Sequence, residues 1–308
     1  MNVTDSGAAA APGRPKQGTA PSGGSAAHEV ASVGAIRWPA EAIWEAVVAN
    51  LPGFTVEILP EIDSTNTELM RRARAGRLEP VLLVAEQQTA GRGRLGRQWF
   101  SGQDSDASAA HAVASVGATS LTFSLGLPLA PADWSGLSLA VGVSIVQSLH
   151  PDLRLKWPND VWLHDRKLAG ILIETANLGD APGARYAVVG VGINITERQA
   201  AGLATPPAWL GEVLPGVDAA QALLRIAGPL VQALKAFEVH GFGPFKARFN
   251  ERDALSGLTI ALSDGTSGVA QGVDGVGALL VQTAQGLKKI TSSEVSVRPL
   301  EPPPYANL

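Results

Sequence analysis

Gly91-Arg92-Gly93-Arg94-Leu95-Gly96-Arg97-Gln98-Trp99-Phe100-Ser101 places three arginines and three glycines, with no acidic residue, in eleven positions. Glycine lets a backbone take positive φ and turn N–H groups toward one point, and guanidinium supplies planar, permanently charged donors that match carboxylate and phosphate. The stretch reads as a loop built to hold an anion, with Trp99 placed where a flat ring could rest on it. It also fits Gly-x-Gly-x-x-Gly, but the dinucleotide version of that motif requires a helix directly after the glycines. Gln98-Trp99-Phe100-Ser101-Gly102 has no helical pattern, which excludes a dinucleotide-binding α/β fold. A solvated basic turn is the plain alternative.

Working outward, Val81 to Ala85 is an apolar run of strand length, and Glu86-Gln87-Gln88-Thr89 leads from it into the arginine loop. Before it, Asp63-Ser64-Thr65-Asn66-Thr67-Glu68 opens a helix capped by Ser64 or Asp63 that runs to about Ala75 and stops at Gly76. A plain N-cap accounts for this stretch, although a helix N-terminus is also a ready anion site. Earlier still, a short helix is expected from Trp38 to Ala49 and a strand from Phe54 to Leu59. Residues 1–34, rich in Ala, Gly, Ser and Pro, are expected to form a disordered tail.

After the loop, Gly102 to Gly117 lacks periodicity and reads as a mobile insertion. Thr119 to Leu127 is a strand, Leu137 to Leu149 carries helical spacing, and Leu153 to Trp157 is a strand closed by Pro158. Lys156-Trp157-Pro158-Asn159-Asp160, Val161-Trp162-Leu163 and Lys167-Leu168-Ala169-Gly170 through Glu174 form a meander with a tight turn at Asp165-Arg166. Lys167 alone could be an exposed strand lysine. Tyr186 to Ile195 is a buried strand whose Gly190, Gly192 and Asn194 share one face, and glycines there mark a surface that something approaches closely. Asp218 to His240 is helical in period, with Gly228-Pro229 expected to kink or break it. Four short strands, at Leu258–Leu262, Val269–Val273, Ala278–Gln282 and Glu294–Arg298, then predict a small β-barrel.

Composition narrows the function. The 308 residues, 45% hydrophobic, suffice for one main domain and an appendage. A net charge of −4 excludes a surface given over to nucleic acid, so positive charge must act locally. With no cysteine there is no thiolate chemistry, and no apolar run is long enough to span a bilayer. Without a signal peptide pattern, a cytoplasmic location is expected.

Taken in order, Asp63-Ser64-Thr65-Asn66, the Gly91–Trp99 loop, Lys156-Trp157-Pro158-Asn159-Asp160, Lys167-Leu168-Ala169-Gly170 and Gly190-Val191-Gly192-Ile193-Asn194 resemble the signatures of the bacterial biotin protein ligases, also called biotin–acetyl-CoA-carboxylase ligases. The resemblance spans about Phe54 to Pro299. It implies an α+β fold, with a central mixed sheet and helices in a catalytic domain at 35–255 and an SH3-like barrel at 256–308. It also implies a reaction in which biotin and ATP give biotinyl-5′-adenylate and pyrophosphate, after which biotin passes to a lysine of a biotin carboxyl carrier protein.

By that resemblance Ser64, Thr65, Asn66 and Gln88 would bind biotin together with Arg92, Gly93 and Arg94. Lys167 would reach the biotin carboxylate and the α-phosphate, and with Arg94 would carry the chemistry. Trp99 would cover the adenylate, and Asn159, Asp160 and Asn194 would contact the nucleotide, with Asp160 a ligand for Mg²⁺. Two anions must be held together against their repulsion, a task for cations that do not neutralise. Where the family often carries an N-terminal helix-turn-helix, only one short helix is expected here, so DNA is not expected as a partner. A lipoate or octanoate ligase or transferase of the same fold family, and a biotin-sensing regulator, are the competing readings.

Overall fold

The computed structural model describes residues 36–101, 118–178, 183–197, 206–291 and 297–300. The expected tail at 1–34 and insertion at 102–117 lie outside these residues. Helix α1 (Ala40–Val48) is followed by β1 (Thr55–Ile62), α2 (Thr65–Arg74), β2 (Val81–Gln88) and β3 (Ser120–Leu129). Next come α3 (Leu137–Leu149), the meander β4 (Arg154–Lys156), β5 (Asp160–Leu163) and β6 (Arg166–Asn177), then β7 (Arg185–Asn194), α4 (Ala219–His240) and α5 (Lys246–Asn250). Among these, β1 to β7 form one sheet in the order β1-β2-β3-β7-β6-β5-β4, parallel between β1 and β2 and antiparallel elsewhere. The expected mixed sheet is present.

Alternation along the strands decides which face holds the core. In β3, Leu121, Phe123 and Leu125 point into the main core, where α3 packs on α4 and α4 on α1. Helix α3 is mostly apolar, and ten of its thirteen residues are buried. Helix α2 covers part of the opposite face through Leu69, Met70 and Ala73, against Val81, Leu83 and Val188. Ser120, Thr122 and Ser124 of β3 share that face and are buried too, an unusual place for three hydroxyls. They form a polar floor.

Two sequence expectations fail here. Helix α4 runs unbroken through Pro229. The ring removes an N–H and frees a carbonyl one turn back, but Pro229 and Arg225 are on the exposed side, where water can take that carbonyl. Gly228 faces inward, and a Cβ there would sit 3.4 Å from Ala46 O, so the glycine lets α1 approach closely. The appendage holds a strand more than expected: β8 (Thr259–Leu262), β9 (Ser267–Val273), β10 (Leu279–Thr283), β11 (Gly286–Ile290) and β12 (Val297–Pro299), ordered β11-β10-β9-β8-β12. Gln285-Gly286 is the turn of a hairpin whose return strand, with Leu287, Lys288 and Lys289 exposed, lacks an apolar alternation to reveal it.

The appendage is tied to the sheet's far edge. Arg252 O accepts from Leu155 N at 2.7 Å and Ala254 N donates to Leu155 O at 2.8 Å, so residues 252–254 add a short parallel segment beside β4. Between them, Asp253 accepts from Leu255 N at 2.9 Å through Oδ1, while Oδ2 is buried without a partner. Burial pushes this carboxyl up to about 6, with the Leu255 hydrogen bond opposing. The folded protein therefore keeps the proton between roughly pH 4 and 6 while the unfolded chain loses it, and stability falls as pH rises through that window. Asp253→Asn should be more stable than the parent at pH 8 by on the order of 2 kcal/mol and lose that advantage at pH 4. Urea midpoints at the two pH values check this; parallel pH profiles for the two proteins would contradict it.

Candidate active site

A cavity of about 370 Å³ opens on the α2 face of the sheet, lined by the start of α2, the arginine loop, the β4–β5 turn, β6, β7 and β12. Its first wall is an amide and hydroxyl network. Ser64 caps α2, its Oγ accepting from Thr67 N at 3.4 Å, which leaves Thr65 and Asn66 in the first turn. Gln88, at the end of β2, accepts from Thr65 N at 2.8 Å. Gln88 is fixed in turn by Ser101, whose Oγ accepts from its N–H at 2.7 Å. Asn66 donates through Nδ2 to Leu172 O at 3.2 Å and Glu174 Oε2 at 3.0 Å. Ser124 Oγ stands 2.6 Å from Asn66 Oδ1 and 2.7 Å from Thr65 Oγ1, and its one proton belongs on the amide oxygen, which can only accept. With both amide protons committed, Asn66 offers a ligand only its remaining acceptor capacity.

The two glycines of β7 make this packing possible. A Cβ at Gly190 would lie 2.0 Å from Asn66 Oδ1, and one at Gly192 would lie 2.3 Å from Trp99 Cε2. What approaches the strand is thus part of the same chain. Asn194, one step further on that face, was expected at the nucleotide but is not among the cavity-lining residues. Its Nδ2 donates to Ala208 O at 3.0 Å, and Ala208 N donates to Lys167 O at 3.0 Å, so Asn194 braces the backbone behind Lys167.

The arginine loop is a small hairpin. Trp99 N donates to Gly91 O at 2.9 Å and Gly93 N to Arg97 O at 2.7 Å. These N–H groups close the loop on itself and do not converge on an anion as the glycine pattern suggests. Nor is positive φ general: of the loop residues, Leu95 (φ 57°) and Gly96 (φ 70°) adopt it. Gly91 is needed for room, since a Cβ there would meet Trp99 O at 2.2 Å. The arginine side chains do face a site. Arg92 pairs with Glu174 at 2.8 Å and donates to Thr67 Oγ1 at 3.1 Å, fastening the loop across the mouth. Arg94 donates to Asn159 Oδ1 at 3.0 Å, while its Nη2 is buried without a partner. Burial holds this guanidinium below the ordinary arginine range, with Asp160 acting the other way. Trp99 Nε1 is a second buried donor without a partner. Two orphan donors in one cavity call for a ligand rich in acceptors.

Also in the wall, Lys167 Nζ lies 2.7 Å from Asp160 Oδ1. Six basic residues line the cavity, and Asp160 is its single carboxylate. Lys156, Thr122 and Arg298 are among the lining groups that went unassigned from sequence. Lys156 was visible beside Asn159 and Asp160, Thr122 was signalled by hydroxyls alternating with apolar residues in β3, and Arg298 enters from β12 with no local signal.

The comparisons agree with this geometry. The Biotin/lipoate A/B protein ligase family profile matches residues 58–194, and that of the Biotin protein ligase C terminal domain matches 259–298. The Bifunctional ligase/repressor BirA of Escherichia coli (strain K12) is 34% identical over 267 residues, covering 83% of this chain and 78% of that protein. The chain belongs to the biotin protein ligase family. The Biotin--[acetyl-CoA-carboxylase] ligase of Paracoccus denitrificans is 32% identical to this ligase and spans 77% of it and 98% of itself. Among solved structures, the biotin protein ligase from Aquifex aeolicus in complex with biotin and ATP superposes with a TM-score of 0.62 at 28% identity, over 79% of this ligase and 98% of that chain. The two profiles match separate stretches, 58–194 and 259–298, yet β12 puts a strand of the second into the wall of one shared cavity. Among the described residues no helix is long and apolar enough to cross a membrane.

Proposed function

We infer that this ligase activates biotin with ATP, forming biotinyl-5′-adenylate and pyrophosphate, and then gives the biotinyl group to a lysine amine of a carrier protein. The observation that carries this is the lining of one cavity, which joins the neutral amides and hydroxyls of Ser64, Thr65, Asn66 and Gln88 to six basic residues with a single carboxylate. A neutral ring system with a carboxylate tail fits the first with its acid directed at the second, where a triphosphate supplies the opposing charge. Biotin's rings take Ser64, Thr65, Asn66 and Gln88, with Gly93 and Arg92 closing over them. Lys167 and Arg94 hold the reacting carboxylate and the α-phosphate together. Trp99 and Asn159 flank the nucleotide.

The biotin carboxylate attacks the α-phosphorus, the bond to the bridging oxygen breaks, and pyrophosphate leaves with its electron pair. In the second step the carrier amine attacks the mixed anhydride and AMP departs. Mg²⁺ does not fit a site made of protein alone: among the described residues no group of three His, Cys, Asp or Glu converges, and Asp160 is already held by Lys167. The ion would arrive on phosphate oxygens with Asp160 the one carboxylate nearby. The carrier is a biotin carboxyl carrier domain of acetyl-CoA carboxylase or a similar biotin-dependent enzyme, and the setting is the cytoplasm.

Exchange of labelled pyrophosphate into ATP tests the reading. Exchange that depends on biotin supports it, and exchange with lipoate or octanoate in place of biotin replaces it with the rival of the same fold. Arg94→Ala should retain the adenylate less well, by about ten- to a hundredfold in release rate, because a charged donor lost from a closed site costs roughly 1.5–3 kcal/mol. Trapping of released biotinyl-adenylate by free amines measures it, and an unchanged release rate counts against Arg94 as a clamp.

A further inference from the structure

Lys156 stands apart from the other cations of the cavity. It ends β4 and is paired in register with Asp160 of β5, but Asp160 Oδ1 is taken by Lys167 Nζ at 2.7 Å. Lys156 Nζ sits instead over the Trp162 ring, 4.6 Å from its centroid. Among the described residues no ion pair with a carboxylate is formed by Lys156, although its side chain is part of the cavity wall. A cation held over an aromatic face is positioned without being neutralised. Burial, together with Lys167, Arg97 and Arg298 nearby, holds its ammonium below the ordinary lysine range, and Asp160 offsets part of this. An arriving anion would supply the missing counter-charge.

Lys156 and Arg298 both line the cavity and lie close enough for their charges to repel. Arg94 is committed to Asn159 and Lys167 to Asp160, both groups of the β4–β5 turn, so those two cations mark where the reacting atoms meet. Resting on the ligase reading above, we propose that Lys156 holds the β- and γ-phosphates of the nucleoside triphosphate, the part that leaves as pyrophosphate. When the α-phosphorus bond breaks, the electron pair stays on the oxygen of the β-phosphate, and negative charge grows on the group facing Lys156. Lysine suits this position because a compact ammonium on a flexible stem follows a departing anion, where a guanidinium would fix it in one bidentate pose.

The test compares Lys156→Met, which keeps the stem over Trp162, and Lys156→Arg with the parent. Binding of inorganic pyrophosphate and of AMP is measured by calorimetry, alongside biotin-dependent pyrophosphate exchange. Lys156→Met should weaken pyrophosphate at least tenfold more than it weakens AMP and raise KM for ATP in exchange, and Lys156→Arg should recover part of the pyrophosphate affinity. Equal losses for AMP and pyrophosphate, or no loss for either, overturn the proposal. A variant that unfolds is recognised by its melting curve, and Lys156→Arg then decides by the same ratio. If the parent shows no exchange with biotin, the ligase reading fails by itself, and selective pyrophosphate loss in Lys156→Met still upholds the subsite.

Discussion

Lys167→Ala is expected to slow adenylate formation by a factor on the order of 10² or more, with a much smaller effect on transfer of biotin from adenylate supplied ready-made. Two losses combine in this variant. The ammonium proposed to meet the carboxylate and α-phosphate disappears, and Asp160, whose Oδ1 it held at 2.7 Å, becomes an unpaired anion inside a site proposed to accept two more. The factor corresponds to roughly 2.7 kcal/mol of transition-state stabilisation. Because part of the damage comes from the abandoned carboxylate, Lys167→Ala combined with Asp160→Asn should recover some of the lost rate. Single-turnover measurement of the two half-reactions checks the split; equal losses in both halves, or a double variant worse than the product of the single effects, would remove Lys167 from the reacting centre.

Gly190→Ala should abolish measurable biotin binding while leaving the cavity able to bind pyrophosphate. The added methyl group would lie 2.0 Å from Asn66 Oδ1 and 2.7 Å from its Cγ, well inside contact distance. Asn66 cannot swing aside cheaply, because Ser124, Leu172 and Glu174 hold all three of its polar contacts and the residue is 4% exposed. Displacing it breaks that network and shifts Thr65 and Gln88 with it. Calorimetry with biotin alone gives the answer, and an affinity within threefold of the parent would show that the network bends more easily than its burial suggests.

The chain's organisation was legible wherever function and backbone requirement coincide in the same residues. Glycines at 190 and 192 announced a close approach, and the structure supplies Asn66 and Trp99 as the approaching groups. Ser64 was readable as a cap, and the alternation of β3 and the spacing of α3 gave their elements near the observed bounds. The failures share one cause, which is that the deciding partner is distant in the chain. Pro229 is tolerated because its exposed side meets water, a fact set by where α1 packs. β11 hides because its side chains face outward, and Asn194 leaves the cavity because the segment at Ala208 claims it. Arg298 carries no motif at all; only the pairing of β12 with β8 brings it to the cavity.

That last placement bears on how the protein is made. The residues proposed to hold biotin's rings, Ser64 to Gln88, are translated more than 200 residues before Arg298, which β12 brings to the same cavity. At about 5–20 residues per second, the interval between them is on the order of ten seconds or longer. Throughout it, a nascent chain has the amide and hydroxyl wall of the cavity but lacks one of its six basic residues. On the function proposed above, an incomplete copy on the ribosome would be less able to consume ATP or to shed a reactive acyl-adenylate among its neighbours.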